Sequence, residues 1–111
     1  MKEKIIKAGL NYEEISAAFP DLKAYEEAVR FYLNDPYFFD LKNFLDDEDY
    51  AMAKDAIKGL YLLAQELKIY KLYVALVDLY EDVEEEYYNE LMTNYEKMAK
   101  IHRQLREAFG V

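Results

Sequence analysis

Tyr50-Ala51-Met52-Ala53-Lys54-Asp55-Ala56-Ile57-Lys58-Gly59-Leu60 is the stretch on which the fold turns. Apolar residues recur at Tyr50, Ala53, Ile57, Leu60, Ala64 and Leu67, a three-four spacing that lays one stripe along a helix. At 100° per residue, Asp55 points about 160° away from Ile57 and so faces outward. Ala51, Met52, Lys58, Gly59, Leu62 and Glu66 share that outer face. Met52 and Leu62 are unexpected on a face that should be wet, and exposed apolar patches mark contact surfaces. Gly59 costs the helix about 1 kcal/mol relative to alanine. Two readings stand for it. It clears room for another backbone to approach closely, or it reflects drift or tight packing against a neighbouring helix.

Working outward, start signals recur on both sides. Asn11 with Glu14 three residues on reads as an N-cap and capping-box partner for a short helix that ends before Pro20. Asp21 caps a helix to about Leu33 with Leu22, Tyr25, Val29 and Tyr32 on one face. Asp35-Pro36 is a further start, with aspartate as cap and proline where no N–H is needed. That helix carries Phe38, Phe39, Leu41, Phe44 and Leu45. The acidic run Asp46–Asp49 opens the central helix, which spans about Asp47–Leu67, and suits the positive helix N-terminus. An EF-hand reading of that run fails, because its sixth position is Ala51 and its twelfth Ile57. Further helices are expected at about Ile69–Val83 and Glu84–Phe109, and no glycine or proline in Glu66-Leu67-Lys68 marks where the central helix gives way to the first of them.

The chain has 111 residues, with three glycines, two prolines, one serine (Ser16), one threonine (Thr93) and no cysteine. So few turn formers and β-favouring residues predict one all-α domain over residues 1–111, an antiparallel four-helix bundle with short additional N-terminal helices. The absence of cysteine removes disulfides and thiolate metal sites and fits a reducing compartment. The N-terminal residues lack the apolar core of a secretory signal. The longest apolar runs, Leu60–Ala64 and Leu72–Val77, fall far short of the roughly 20 residues of a membrane span. A cytoplasmic protein that does not engage membranes is expected. A net charge of −9 repels nucleic-acid phosphates, so no nucleic-acid partner is expected either.

Catalytic constellations are missing from the sequence. His102, the one histidine, lies in the stripe Tyr88, Leu91, Tyr95, Met98, His102, Leu105, Phe109 and reads as a core-edge residue with one satisfied nitrogen. A carboxylate-bridged di-iron site would need Glu-x-x-His on two helices, whereas Ala99 precedes His102 by three. Isolated glycines form no phosphate loop. No enzyme, no metal and no cofactor are expected. Twelve tyrosines stand out. Next to the stripe Ile69, Leu72, Leu76, Leu79 and Val83 runs a second flank of Tyr70, Tyr73, Val77 and Tyr80. It reads as a helix between two neighbours, or as a self-association face that would give a homodimer through Tyr73, Val77 and Tyr80.

Asp55-Ala56-Ile57-Lys58-Gly59 resembles the His-x-x-Lys-Gly signature of histidine-containing phosphotransfer (HPt) domains, with Asp55 at the place of the phosphoaccepting histidine. Asp49-Tyr50 is similar to the Gly-Asp-aromatic lead-in of that family, and the order and spacing of the helices follow its pattern along nearly the whole chain. Leu60 and Tyr61 depart from the small residues that often follow Lys-Gly, and Ala64-Gln65 from the Leu-Gly pair that commonly ends the helix. The resemblance implies that Lys58 would steady a phosphoryl group and Gly59 would let a receiver domain close over the site. Without an imidazole the relay chemistry is lost, since a carboxylate is a far weaker nucleophile. The expectation is therefore an HPt-like phosphorelay module that no longer transfers phosphate. It would bind a receiver domain or histidine kinase through Met52, Lys58, Gly59 and Leu62. Asp55 itself would be a surface residue paired with Lys58. The alternative is a structural or self-associating helical protein unrelated to phosphorelay.

Overall fold

Short polar side chains open four of the helices. In the computed structural model, which describes residues 1–111, the chain forms seven helices and no strand: α1 (Lys2–Lys7), α2 (Tyr12–Ala18), α3 (Leu22–Leu33), α4 (Pro36–Asp46), α5 (Tyr50–Glu66), α6 (Tyr70–Glu84) and α7 (Tyr88–Phe109). Asn11, Asp21, Asp35 and Asp49 each accept a backbone N–H of the first turn that follows them, at 3.0, 3.1, 2.9 and 3.3 Å. These bonds satisfy amides that have no partner inside the helix. The capping box at Asn11 is not reciprocal. Glu14 instead accepts a hydrogen bond from the Tyr70 hydroxyl at 2.9 Å and faces Lys68, tying α2 to the start of α6.

Two helix starts differ from the sequence reading, for one reason. The acidic run does not open α5, because Asp46 is the last residue of α4 and Glu48 adopts a left-handed conformation (φ 57°). Likewise α7 begins at Tyr88 rather than Glu84, because α6 continues to Glu84 and Glu86 turns left-handed (φ 60°). Lys68 (φ 61°) does the same between α5 and α6. All three turns close with the same pair of backbone bonds: Glu48 to Leu45 and Asp49 to Phe44, Lys68 to Gln65 and Ile69 to Ala64, Glu86 to Val83 and Tyr87 to Asp82. This is the Schellman arrangement, with a non-glycine residue in the position that glycine usually takes.

Tight turns of this kind fold each helix back on the one before. The α5–α6 pair has the most extensive contact, followed by α6–α7 and α4–α5, while α3 crosses to α7 and α1 touches both α2 and α7. A contiguous apolar core draws on every helix, from Ile5 and Ile15 through Tyr25, Leu41, Ile57 and Leu76 to Phe109. α3 is fastened by polar bonds as well as packing. Tyr25 donates to the Leu67 carbonyl at 2.8 Å and Tyr32 to the Leu60 carbonyl at 2.6 Å. Arg30 donates to the Phe109 carbonyl at 2.9 Å. Every buried side-chain nitrogen and oxygen has a hydrogen-bond partner. No helix is long and apolar enough to cross a membrane.

Candidate docking face on the fifth helix

The α5 stripe packs as its spacing requires: Ala53, Ile57, Leu60 and Ala64 are buried, together with Ala56. The opposite face is therefore outward. Asp55, Lys58 and Gly59 are exposed, with Met52 (40%) and Leu62 (48%) exposed beside them. A β-carbon built at Gly59 meets nothing within 4 Å, so no neighbouring helix requires a glycine there. Of the readings of Gly59, tight internal packing is removed.

The expected pairing of Asp55 with Lys58 does not form. The lysine on this helix that finds a carboxylate is Lys54, which pairs with Glu84 of α6 and lies 5.8 Å from the Tyr80 ring centroid. The hydrogen bond that Lys54 donates to Glu84 raises the Lys54 pKa. Lys54 points toward α6, whereas Lys58 lies on the open face and has no carboxylate partner. The face thus carries an anion and a cation without a mutual ion pair, two exposed apolar side chains, and bare backbone at Gly59. It can take a protein surface against its backbone and match charges of either sign. It carries no histidine.

His102 lies elsewhere, between α4 and α7, and is nearly fully buried. Its Nε2–H donates to the Leu33 carbonyl, 2.8 Å away, and its ring stacks on Phe38 with centroids 3.9 Å apart. Burial holds its pKa below the ordinary histidine value, and the Arg106 charge adds to that, against the Leu33 hydrogen bond. One ring nitrogen is satisfied by backbone and the ring fills a core edge, the role its place in the stripe predicts. No group of three or more His, Asp or Glu side chains converges in a way that could hold a metal.

The tyrosine flank of α6 is largely engaged within the chain. Tyr73, Val77 and Tyr80 are half-buried, and Tyr61 of α5 meets both Tyr73 (5.9 Å) and Tyr80 (5.6 Å) edge-on. Tyr70 remains exposed and bonds Glu14. This is the arrangement of a helix between two neighbours. Sequence reasoning missed a buried polar link beside it: Asp82 of α6, almost fully buried, accepts from the Asn94 amide of α7 at 2.6 Å. An acid directly preceding the core residue Val83 was the available signal. Comparison with known proteins returns no match: no family model, curated protein or solved structure corresponds to this chain.

Proposed function

We propose that this protein is a non-catalytic docking module of the HPt type, a phosphorelay-derived domain that binds a receiver domain or histidine kinase without accepting phosphate. In this reading α4, α5, α6 and α7 are the four helices of an antiparallel bundle and the outer face of α5 is the contact surface. One observation carries it: Gly59 costs helix stability in the middle of α5, and nothing inside the protein uses the space it leaves open. Close approach by a second backbone would use it. Asp55, Lys58, Met52 and Leu62 surround that opening with the mixed charged and apolar character of a transient interface.

The substitution Gly59→Leu separates a retained docking face from a relic. The expected outcome is a higher melting temperature, from the better helix former, together with at least tenfold weaker binding to the receiver or kinase partner by calorimetry. Higher stability with unchanged binding would remove the α5 face as the docking surface. Incubation with phosphorylated receiver domains should leave no stable label on the chain. Acid-labile phosphate on His102, or hydroxylamine-sensitive phosphate on Asp55, would refute the non-catalytic assignment. Asp55→His is the positive test: gain of label would mean that receivers still dock here.

A further inference from the structure

Away from the α5 face, α4 and α7 leave a groove of roughly 400 Å³ between them. Its floor is apolar, with Phe38, Met98 and the His102 ring, and Phe39 stands at its edge, 54% exposed. Its remaining charge is of one sign. Lys42, Arg103 and Arg106 line it and no aspartate or glutamate does, in a chain of net charge −9. Two of the three arginines of the whole sequence are here.

Those two arginines are three residues apart on α7, where like charges repel across one helical turn. Neither has a carboxylate partner; Lys42 alone is paired, with Asp46 of its own helix at 3.0 Å. Arg106 is nonetheless held in place. Its Nη1 donates both to the Leu33 carbonyl (3.1 Å) and to the Asn34 side-chain oxygen (2.5 Å), and its guanidinium lies 5.1 Å from the Phe39 ring centroid. Both bonds use one nitrogen, so the Nε and Nη2 donors stay free. A guanidinium fixed in this way loses little rotamer freedom on binding an anion, and its fork matches a carboxylate.

We propose that the α4–α7 groove is a docking site for an acidic peptide segment of a partner protein. An aromatic or aliphatic side chain of that segment packs on Phe39, and its carboxylates pair with Arg106 and Arg103. The groove opposes the charge of the molecule as a whole, in which 23 acids outnumber 14 lysines and arginines.

The test is fluorescence anisotropy with a labelled peptide of alternating glutamate and phenylalanine, beside a peptide of equal length with lysine in place of glutamate. The expected result is binding of the acidic peptide only, weakening as salt is raised. Arg103→Glu and Phe39→Ser should each reduce affinity at least tenfold. Arg103 is exposed and has no ion-pair partner, so Arg103→Glu should keep the wild-type melting temperature, and Gly59→Leu should leave this binding intact. No binding at millimolar peptide, equal binding of the lysine peptide, or indifference to Arg103→Glu would overturn the proposal. Competition by inorganic phosphate at the same concentration as the peptide would reduce the site to a simple anion site and overturn it. Assembly of the protein alone, seen by light scattering and abolished by Arg103→Glu, would make a second copy the occupant and overturn it too.

Discussion

Three buried side chains set the pH limits of the fold. The Tyr32 hydroxyl donates to the Leu60 carbonyl, and burial, with Asp35 adding, raises its pKa above the ordinary 10.0. Burial raises Tyr25 in the same direction. The unfolded chain therefore loses these protons first as pH rises, so their contribution is complete below pH 10 and declines above it. Tyr32→Phe should cost about 1 kcal/mol at neutral pH, from the lost hydrogen bond, and should flatten the alkaline fall in urea-melt stability. His102 acts at the other limit. Its pKa in the folded protein lies below the ordinary 6.5, so the unfolded chain takes up the proton first as pH falls. Stability is full above pH 6.5 and declines below it. In melts at pH 7.5 and 5.5, wild type should lose more stability than His102→Gln. The burial behind these effects was legible from stripe positions, since Tyr25, Tyr32 and His102 all fall on apolar faces. The particular carbonyls they bond were not, because those depend on how far one helix slides along another. The same limit hid the pairing of Lys54 with Glu84, which depends on how α5 and α6 sit against each other.

At the level of elements, polar caps made the starts of α2, α3 and α4 legible, because a cap side chain acts on its own first turn. The turns after α4, α5 and α6 were harder to place. Glu48, Lys68 and Glu86 sit where glycine would be the ordinary signal, and the acids flanking two of them read instead as the opening turns of the next helix. A left-handed conformation costs a residue with a β-carbon on the order of 1 kcal/mol. Glu48→Gly, Lys68→Gly and Glu86→Gly should therefore each raise stability, by about 0.5–1 kcal/mol after the larger unfolded-state entropy of glycine is counted. Thermal melts of the three single variants check this, and the triple variant should be close to additive, since the turns are separate. Lys68→Gly should give the smallest gain, because Lys68 also faces Glu14 and Tyr70. On α5 the outward placement of Met52, Asp55, Lys58, Gly59 and Leu62 followed from periodicity alone. The α4–α7 groove had no counterpart in the sequence, because its lining is assembled from two helices more than fifty residues apart.

For the molecule as a whole, the most extensive contacts of α5 and α6 are with the helices next to them in the chain, whereas α3 is joined to α7 across most of the sequence. The bonds from Arg30 to Phe109 and from His102 to Leu33 span 79 and 69 residues, and the closures within the α4–α7 succession need only turns of a few residues. Ring closure over long segments is entropically dearer than over short ones. The α3–α7 seam is therefore expected to form later than the α5–α6 contact during folding and to open before it under native conditions. In native-state hydrogen exchange, amides of α3 should exchange through a smaller opening than those of α5 and α6. Arg30→Ala should widen that gap while leaving α5 and α6 protection almost unchanged. Uniform exchange across all seven helices would show instead that the seam yields only with the whole fold. The long-range clasp at Arg30 thus works as a latch in time as well as in space: it decides which part of the protein breathes.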